Sequence, residues 1–266
     1  MSIISNGIVL FIVVVIAAIS GFKSRSLTLS GAYATIIVGL AILLAFEFQG
    51  LFLMGTFFVT SSFWSKYKSD KKKLVEEKIK KSGARDAVQV FANGGVPAML
   101  SLLYLFSQEE FLLYMFICSL ATANSDTWAS EIGSISRSKP VHVLSLRRVD
   151  AGTSGAISVL GTGSALCGAF LIGIISHFLW NEISLQLAIL IGFVGFIGNL
   201  IDTLLGATVQ VTFVCPNCGL ITEKTNHCGL KTVYKSGYRF LNNDTVNFLS
   251  IALGSLFILL FRLLWS

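Results

Sequence analysis

Long apolar stretches alternate with short polar breaks along this chain, and the apolar stretches set its architecture. A membrane-spanning helix needs about 20 mainly apolar residues. Eight segments fit, at about 3–20, 29–46, 48–64, 87–106, 109–125, 155–179, 184–211 and 246–264. The third and fifth are the shortest, at 17 residues each. The first run, Ile8 to Ile19, has the length of a signal-peptide core. No lysine or arginine precedes it and no convincing small-residue cleavage pattern follows, so it reads as a retained helix. The predicted fold is all-α: a polytopic helical membrane bundle of about eight spans, with broken helices near the cytoplasmic face. Residues 1–266 form a single integral membrane domain, and 212–245 is a cytoplasmic loop within it.

Composition excludes the soluble alternative. Hydrophobic residues make up 54% and charged residues 13%, with a mean hydropathy of +0.76. A soluble domain carries about 25% charged residues. The net charge of +6 would point to nucleic acid in a soluble protein. Here the partner is the membrane, and no nucleic acid is expected. Eight spans put 21–28, 65–86, 126–154 and 212–245 on one side. Every lysine and arginine except Arg262 falls there, while the opposite turns carry Glu47, Glu109, Glu110 and Glu182. Excess positive charge marks the cytoplasmic side. The expected location is therefore a cell membrane, crossed many times, with both termini outside. The basic cluster at Lys71, Lys72 and Lys73 is read as a topology signal and lipid contact.

Five polar stretches interrupt the cytoplasmic half. Asn93-Gly94-Gly95-Val96-Pro97 sits inside the fourth span. Two glycines before a proline loosen a helix, and a membrane tolerates that only against protein or a polar cavity. Asn124-Ser-Asp126-Thr-Trp-Ala-Ser130-Glu131 lies where the fifth span reaches the cytoplasm. Carboxylates with neutral oxygens suit a hard cation such as Mg²⁺ held together with substrate phosphates. Five residues turn an ideal helix by about 500°, so Asp126 and Glu131 converge only through a local break. Gly152-Thr153-Ser154-Gly155 follows Arg147, Arg148 and Asp150 and precedes a predicted helix. Such a loop presents backbone N–H groups to an anion, and arginine adds charge-assisted bonds to phosphate. The competing reading is a plain loop with a helix cap.

Asn199, Asp202, Thr203 and Gln210 lie along the seventh span. A charged aspartate inside a span costs roughly 2.5–3.5 kcal/mol on insertion scales, so Asp202 is a candidate functional residue. Asn-x-x-Asp-Thr here echoes Asn-x-Asp-Thr at 124–127. Finally, Asn243, Asp244 and Asn247 enter the last span, where Asp244 either caps the helix or binds substrate.

Of the five cysteines, Cys118 and Cys167 lie in spans and read as small apolar fillers. Cys215-Pro-Asn-Cys218 and His227-Cys228 sit in the last cytoplasmic loop, a reducing side that argues against disulfides. Three thiolates and an imidazole can hold structural Zn²⁺, although adjacent ligands are awkward.

Together, these motifs resemble the integral membrane family (domain of unknown function 92) that includes plant phytyl-phosphate kinase and transmembrane protein 19. The resemblance rests on Asn-Gly-Gly-Val at 93–96, Ser-Asp-Thr-Trp-Ala-Ser-Glu-Ile-Gly at 125–133 and Gly-Thr-Ser-Gly-Ala-Ile-Ser at 152–158. It extends through Asp-Thr-Leu-Leu-Gly-Ala-Thr-Val-Gln at 202–210 and Asn-Asn-Asp-Thr-Val-Asn at 242–247, spanning about residues 7 to 260. It implies phosphoryl transfer to a long isoprenoid phosphate, with a nucleoside triphosphate, CTP or ATP, as donor. The cysteine pairs depart from the pattern, so the zinc reading is confined to this chain. No Walker-type G-x-x-x-x-G-K-[ST] is present, which excludes an ordinary P-loop kinase.

In the expected mechanism Asp126, Glu131 and Asp202 hold Mg²⁺. Gly152 to Gly155 with Arg147 and Arg148 cradle phosphate, and Asn93, Asn124 and Asn247 orient ligands. Two alternatives stay open: a transporter or scramblase of a prenyl-phosphate lipid, and a CTP-dependent cytidylyltransferase of a lipid phosphate.

Overall fold

The computed structural model describes residues 2–67 and 83–265; the Lys71–Lys73 cluster lies outside them. The chain runs as α1 (Ser2–Lys23), α2 (Leu29–Lys66), α3 (Ala87–Ser107), α4 (Glu110–Gly133), α5 (Val159–Leu179), α6 (Leu185–Thr208), α7 (Asn243–Leu256) and α8 (Ile258–Trp265). Among the described residues, five helices are long and apolar enough to cross a membrane.

One of these, α2, is a hairpin. As a straight rod its 38 residues would reach about 57 Å, nearly twice the hydrocarbon core. Glu47 breaks it, with φ 46° and ψ −132°. The two ends then meet. Thr28 N–H donates to Arg85 O (3.0 Å), Arg85 Nη1 donates to Ser62 Oγ (3.1 Å), and Lys66 Nζ donates to Ser24 O (2.7 Å). The reversal is so tight that a Cβ at Gly50 would lie 2.6 Å from Phe46 Cβ and 2.7 Å from Ile42 Cγ2. The expected division between the second and third spans therefore stands at Glu47. Counting α2 twice, and α7 with α8 once, gives about eight helical passes among the described residues.

Helix α4 is the axis of the bundle. It packs against α2, α3, α5, α6 and α7, and every residue from Met115 to Ser125 is buried. A helix enclosed by protein has no need of a uniformly lipid-like surface. Its buried Ser119, Thr122, Asn124 and Ser125 make it less apolar than α3 and α5 on either side in sequence. Small residues let the neighbours close in. A Cβ at Gly195 would lie 2.5 Å from Ala121 Cβ, and one at Gly198 would lie 2.3 Å from Thr122 Oγ1. These are the close contacts that glycine permits between membrane helices. At the end away from the polar residues, Phe46 packs on Tyr104, Phe116 and Trp180.

The expected helix breaks are in different places. Helix α3 runs through Asn93–Pro97 without interruption. Pro97 removes the N–H that would bond to the Asn93 carbonyl, but close packing holds the helix together. Gly94 is covered by Val38 and Met54, and Gly95 by Phe248. Helix α4 continues to Gly133, two turns beyond the expected end at 125, so the Asp126–Glu131 stretch is helical rather than a helix end. The last span breaks instead at Phe257, between α7 and α8.

Two connections at the polar end carry small sheets that the all-helical reading did not resolve. In the first, β1 (Val141–His142) pairs antiparallel with β2 (Ala156–Ile157). In the second, β3 (Thr212–Val214) lies between β4 (Ile221–Thr222) and β7 (Val233–Ser236), while β5 (Asn226–His227) pairs with β6 (Leu230–Lys231).

Candidate functional site

The polar ends of the helices surround one cavity of about 550 Å³. Asp126 enters it from α4 and Asp202 from α6. Asn199 Nδ2 donates to Asp126 Oδ1 (3.1 Å), and Ser250 Oγ donates to Asp202 Oδ2 (2.9 Å). With its amide turned to satisfy its neighbours, Asn247 also donates to Asp202 Oδ2 (3.3 Å) and to Asn243 O (2.9 Å). The two aspartates are near enough to repel each other. Two carboxylates from facing helices, each steadied by a neutral donor, form a ligand set suited to a hard divalent cation.

Glu131 lines the same cavity about one and a half turns beyond Asp126, so it faces a different wall. Ser65 Oγ donates to it, and it attracts Arg85. Arg85 is fixed from several sides. Its N–H donates to Ser26 O (2.9 Å), its carbonyl accepts from Thr28, and its guanidinium lies 6.0 Å from the Phe58 ring centroid. Residue 31 must be glycine for this approach, because a Cβ there would lie 2.1 Å from Arg85 O.

The Gly152–Gly155 loop lines the cavity, with Gly152 at φ 78° and Gly155 at φ 74°. It does not lead directly into a helix. Strand β2 intervenes, and the cap of α5 is Ser158, whose Oγ accepts from Gly161 N–H. The loop therefore meets the cavity as a turn without a helix dipole behind it. Ser154 Oγ donates to Glu223 Oε1 (3.3 Å), and Gln210 Nε2 donates to the same oxygen (2.7 Å).

Most of the sequence candidates gather here: Asn93, Asp126, Ser130, Glu131, the 152–155 loop, Asn199, Asp202, Thr203, Gln210, Asn243, Asp244 and Asn247. Others do not. Arg147 and Arg148 are exposed and outside the cavity lining, because the β1–β2 pairing turns their segment outward. Asn124 is fully buried, donating to Gly168 O (2.7 Å) and accepting from Thr60, so it ties helices together. Gly94 and Gly95 serve helix contact. The cap of α7 is Asn242, which accepts from Thr245 N–H, while Asp244 lies in the first turn.

Several lining residues escaped the sequence reading: Arg25, Lys66, Arg85, Gln89 and Glu223. A signal for two of them was present. Asp86 and Gln89 form a capping box, with Gln89 N–H donating to Asp86 Oδ1 (3.0 Å), and that pattern marks the helix start beside Arg85. Glu223 was marked only as the one acidic residue between the two cysteine pairs.

A second, apolar pocket of about 190 Å³ lies between α1, both arms of α2 and α3. Val13, Val38, Leu51, Met54 and Phe57 are in its wall, and Arg85, Gln89 and Asn93 line both spaces.

Away from the cavity, the ligand atoms of Cys215, Cys218, His227 and Cys228 all lie within 4.8 Å of one another. The Cys215 thiol is pulled down to about 6, chiefly by the Cys218 backbone N–H, with His227 adding to it.

Comparison with known proteins agrees with this membrane architecture. The chain is 34% identical over 199 residues to the uncharacterized membrane protein MJ0933 of Methanocaldococcus jannaschii, covering 75% of this chain and 81% of that one. It is 31% identical over 264 residues to protein PGR of Arabidopsis thaliana, covering 90% of each. It is 26% identical over 266 residues to the chloroplastic protein VTE6 of the same plant, covering 98% of this chain and 71% of that one. No solved structure matches. With the family description "Integral membrane protein DUF92" matching residues 12–255, the chain belongs to that family.

Proposed function

We propose that this protein transfers a phosphoryl group from a nucleoside triphosphate, CTP or ATP, to an isoprenoid monophosphate at the polar end of the bundle. One observation carries the reading: a polar cavity with acidic and basic walls adjoins an apolar pocket, and Arg85, Gln89 and Asn93 belong to both. That combination suits an amphiphile with a phosphate head and a single apolar chain. The family resemblance to a phytyl-phosphate kinase supports it. By the distribution of lysine and arginine, the polar end faces the cytoplasm, where the donor nucleotide is available.

Asp126 and Asp202 are the residues to hold Mg²⁺, with Glu131 across the cavity. The ion would neutralise charge on donor phosphates. Arg85 holds the acceptor phosphate at the mouth of the apolar pocket, and Arg25 and Lys66 add positive charge from the wall of the polar cavity. The Gly152–Gly155 loop offers N–H groups to the donor. An acceptor phosphate oxygen attacks the γ-phosphorus, the bond from that phosphorus to the β–γ bridging oxygen breaks, and a prenyl diphosphate and a nucleoside diphosphate leave. The acceptor is already ionised, so no strong base is needed. The rate then rests on positioning and on charge neutralisation.

The test uses purified protein in detergent with Mg²⁺, CTP or ATP, and labelled prenyl phosphates. Prenyl diphosphate should form with the wild type and not with Asp202→Ala. Equal behaviour of the two removes the support. Pyrophosphate release would identify nucleotidyl transfer instead. Nucleotide-independent movement of prenyl phosphate across proteoliposomes would identify transport.

A further inference from the structure

We propose that Cys215, Cys218, His227 and Cys228 bind one zinc ion, and that this ion anchors Glu223 in the polar cavity. A tetrahedron with Zn–S of about 2.3 Å and Zn–N of about 2.0–2.1 Å has edges of about 3.5–3.8 Å. Cys218 Sγ and Cys228 Sγ lie 3.5 and 3.3 Å from His227 Nδ1, close to such edges. All four ligand atoms fit within 4.8 Å.

The backbone is shaped for the same purpose. In the first half, Gly219 N–H donates to Cys215 O (2.9 Å), and Gly219 turns at φ 71°, which curls Cys215 and Cys218 toward one centre. In the second half, Cys228 and Gly229 link β5 to β6 with φ of 52° and 73°. A two-residue hairpin turn with both φ values positive strongly prefers Asn-Gly or Gly-Gly. A cysteine in the left-handed region carries strain that a metal ligand explains. That turn also resolves the difficulty of adjacent ligands, because it brings neighbouring side chains to the same side.

Strand pairing shapes this segment, but apolar packing contributes little to it. Between 212 and 236, only Cys215 and Thr222 are buried. A unit with so little apolar core needs a metal or a disulfide.

Glu223 lies between the two ligand pairs. Thr222 beside it is buried, and its Oγ1 accepts from Lys224 N–H (3.1 Å). Glu223 Oε1 in turn accepts from Gln210 (2.7 Å) and Ser154 (3.3 Å). The metal thus sits outside the cavity but fixes one of its carboxylates and, through it, the Ser154 turn. The zinc site stands independently of the phosphotransferase reading; only the catalytic consequence of Glu223 rests on that reading.

Zinc content of the full-length protein, purified in detergent without added metal, is the first measurement. Wild type and Glu223→Ala should carry about one zinc per chain, Cys218→His should keep it, and Cys218→Ser with Cys228→Ser should lose it. Equal zinc in wild type and the double serine variant overturns the site. Amide exchange is the second. Removing zinc from wild type with a chelator should speed exchange around Ser154 and Gln210 about tenfold or more, with the α4 and α6 interiors unchanged. Glu223→Ala, which removes the accepting oxygen, should reproduce that local change with zinc still bound. Unchanged exchange at Ser154 and Gln210 after zinc removal overturns the anchoring role. Neither readout needs turnover, so an inactive protein that passes both would count against the proposed reaction and not against the zinc anchor.

Discussion

Asp202 and Asp126 sit where a charge is expensive, and among the described residues each is held by a neutral donor rather than by a cation: Ser250 and Asn247 for one, Asn199 for the other. An arginine partner would cancel the field that a divalent ion needs; a hydroxyl or amide aims the oxygen and leaves the charge in place. Asp202→Asn or Asp126→Asn should therefore lower kcat for the proposed transfer by about 10²-fold or more. Helix content by circular dichroism should not change. In the proposed transfer Arg85 has the other role, that of gripping the acceptor head. Arg85→Met should raise KM for the prenyl phosphate more than it lowers kcat. Arg147→Ala with Arg148→Ala, on the outer surface, should leave both constants within about twofold, since surface changes away from special features are small. A large loss in that pair would return phosphate binding to the surface arginines.

At the scale of elements, glycines decide how near the helices come. A side chain at Gly198 would collide with Thr122, whereas Gly163 on α5 has nothing within 4 Å of a would-be Cβ. Gly198→Leu should cost about 1–3 kcal/mol by overpacking, read as a lower melting temperature in detergent, and Gly163→Leu should be neutral. Equal melting of the two variants would show that α4 and α6 do not meet as described. The sequence alone distinguishes neither glycine, because both sit in equally apolar runs. What it does show is a polytopic helical bundle and the end that is polar, since hydropathy and lysine-arginine placement act over whole segments. Glu47 was legible as a boundary because a lone charge between two apolar runs has few other places to go. The two faces of α4 were not legible. A helix wrapped by protein loses the lipid-facing signal, and Asp126 looked like a helix end when it lies two turns inside one. Arg85 and Glu223 were missed for a related reason: each enters the cavity from a loop, and loop geometry is set by partners distant in sequence.

For the molecule as a whole, the arrangement of a polar cavity against an apolar pocket sets a length-dependent expectation. Gly55 lies in the wall of the apolar pocket with open space where its Cβ would be. A leucine there occupies room that the substrate chain would otherwise fill, without touching the polar cavity. Losing contact with about two methylene groups corresponds to roughly tenfold in affinity, at about 0.8 kcal/mol each. Gly55→Leu should therefore raise KM for a twenty-carbon prenyl phosphate by about that factor. For a five-carbon one, whose chain ends near Arg85, KM should stay unchanged, and nucleotide affinity should match wild type for both. Steady-state kinetics across a series of chain lengths reads this directly. If short and long acceptors suffer alike, the chain does not lie between α1, α2 and α3. If neither suffers, the lipid tail stays in the bilayer and only its phosphate enters the protein.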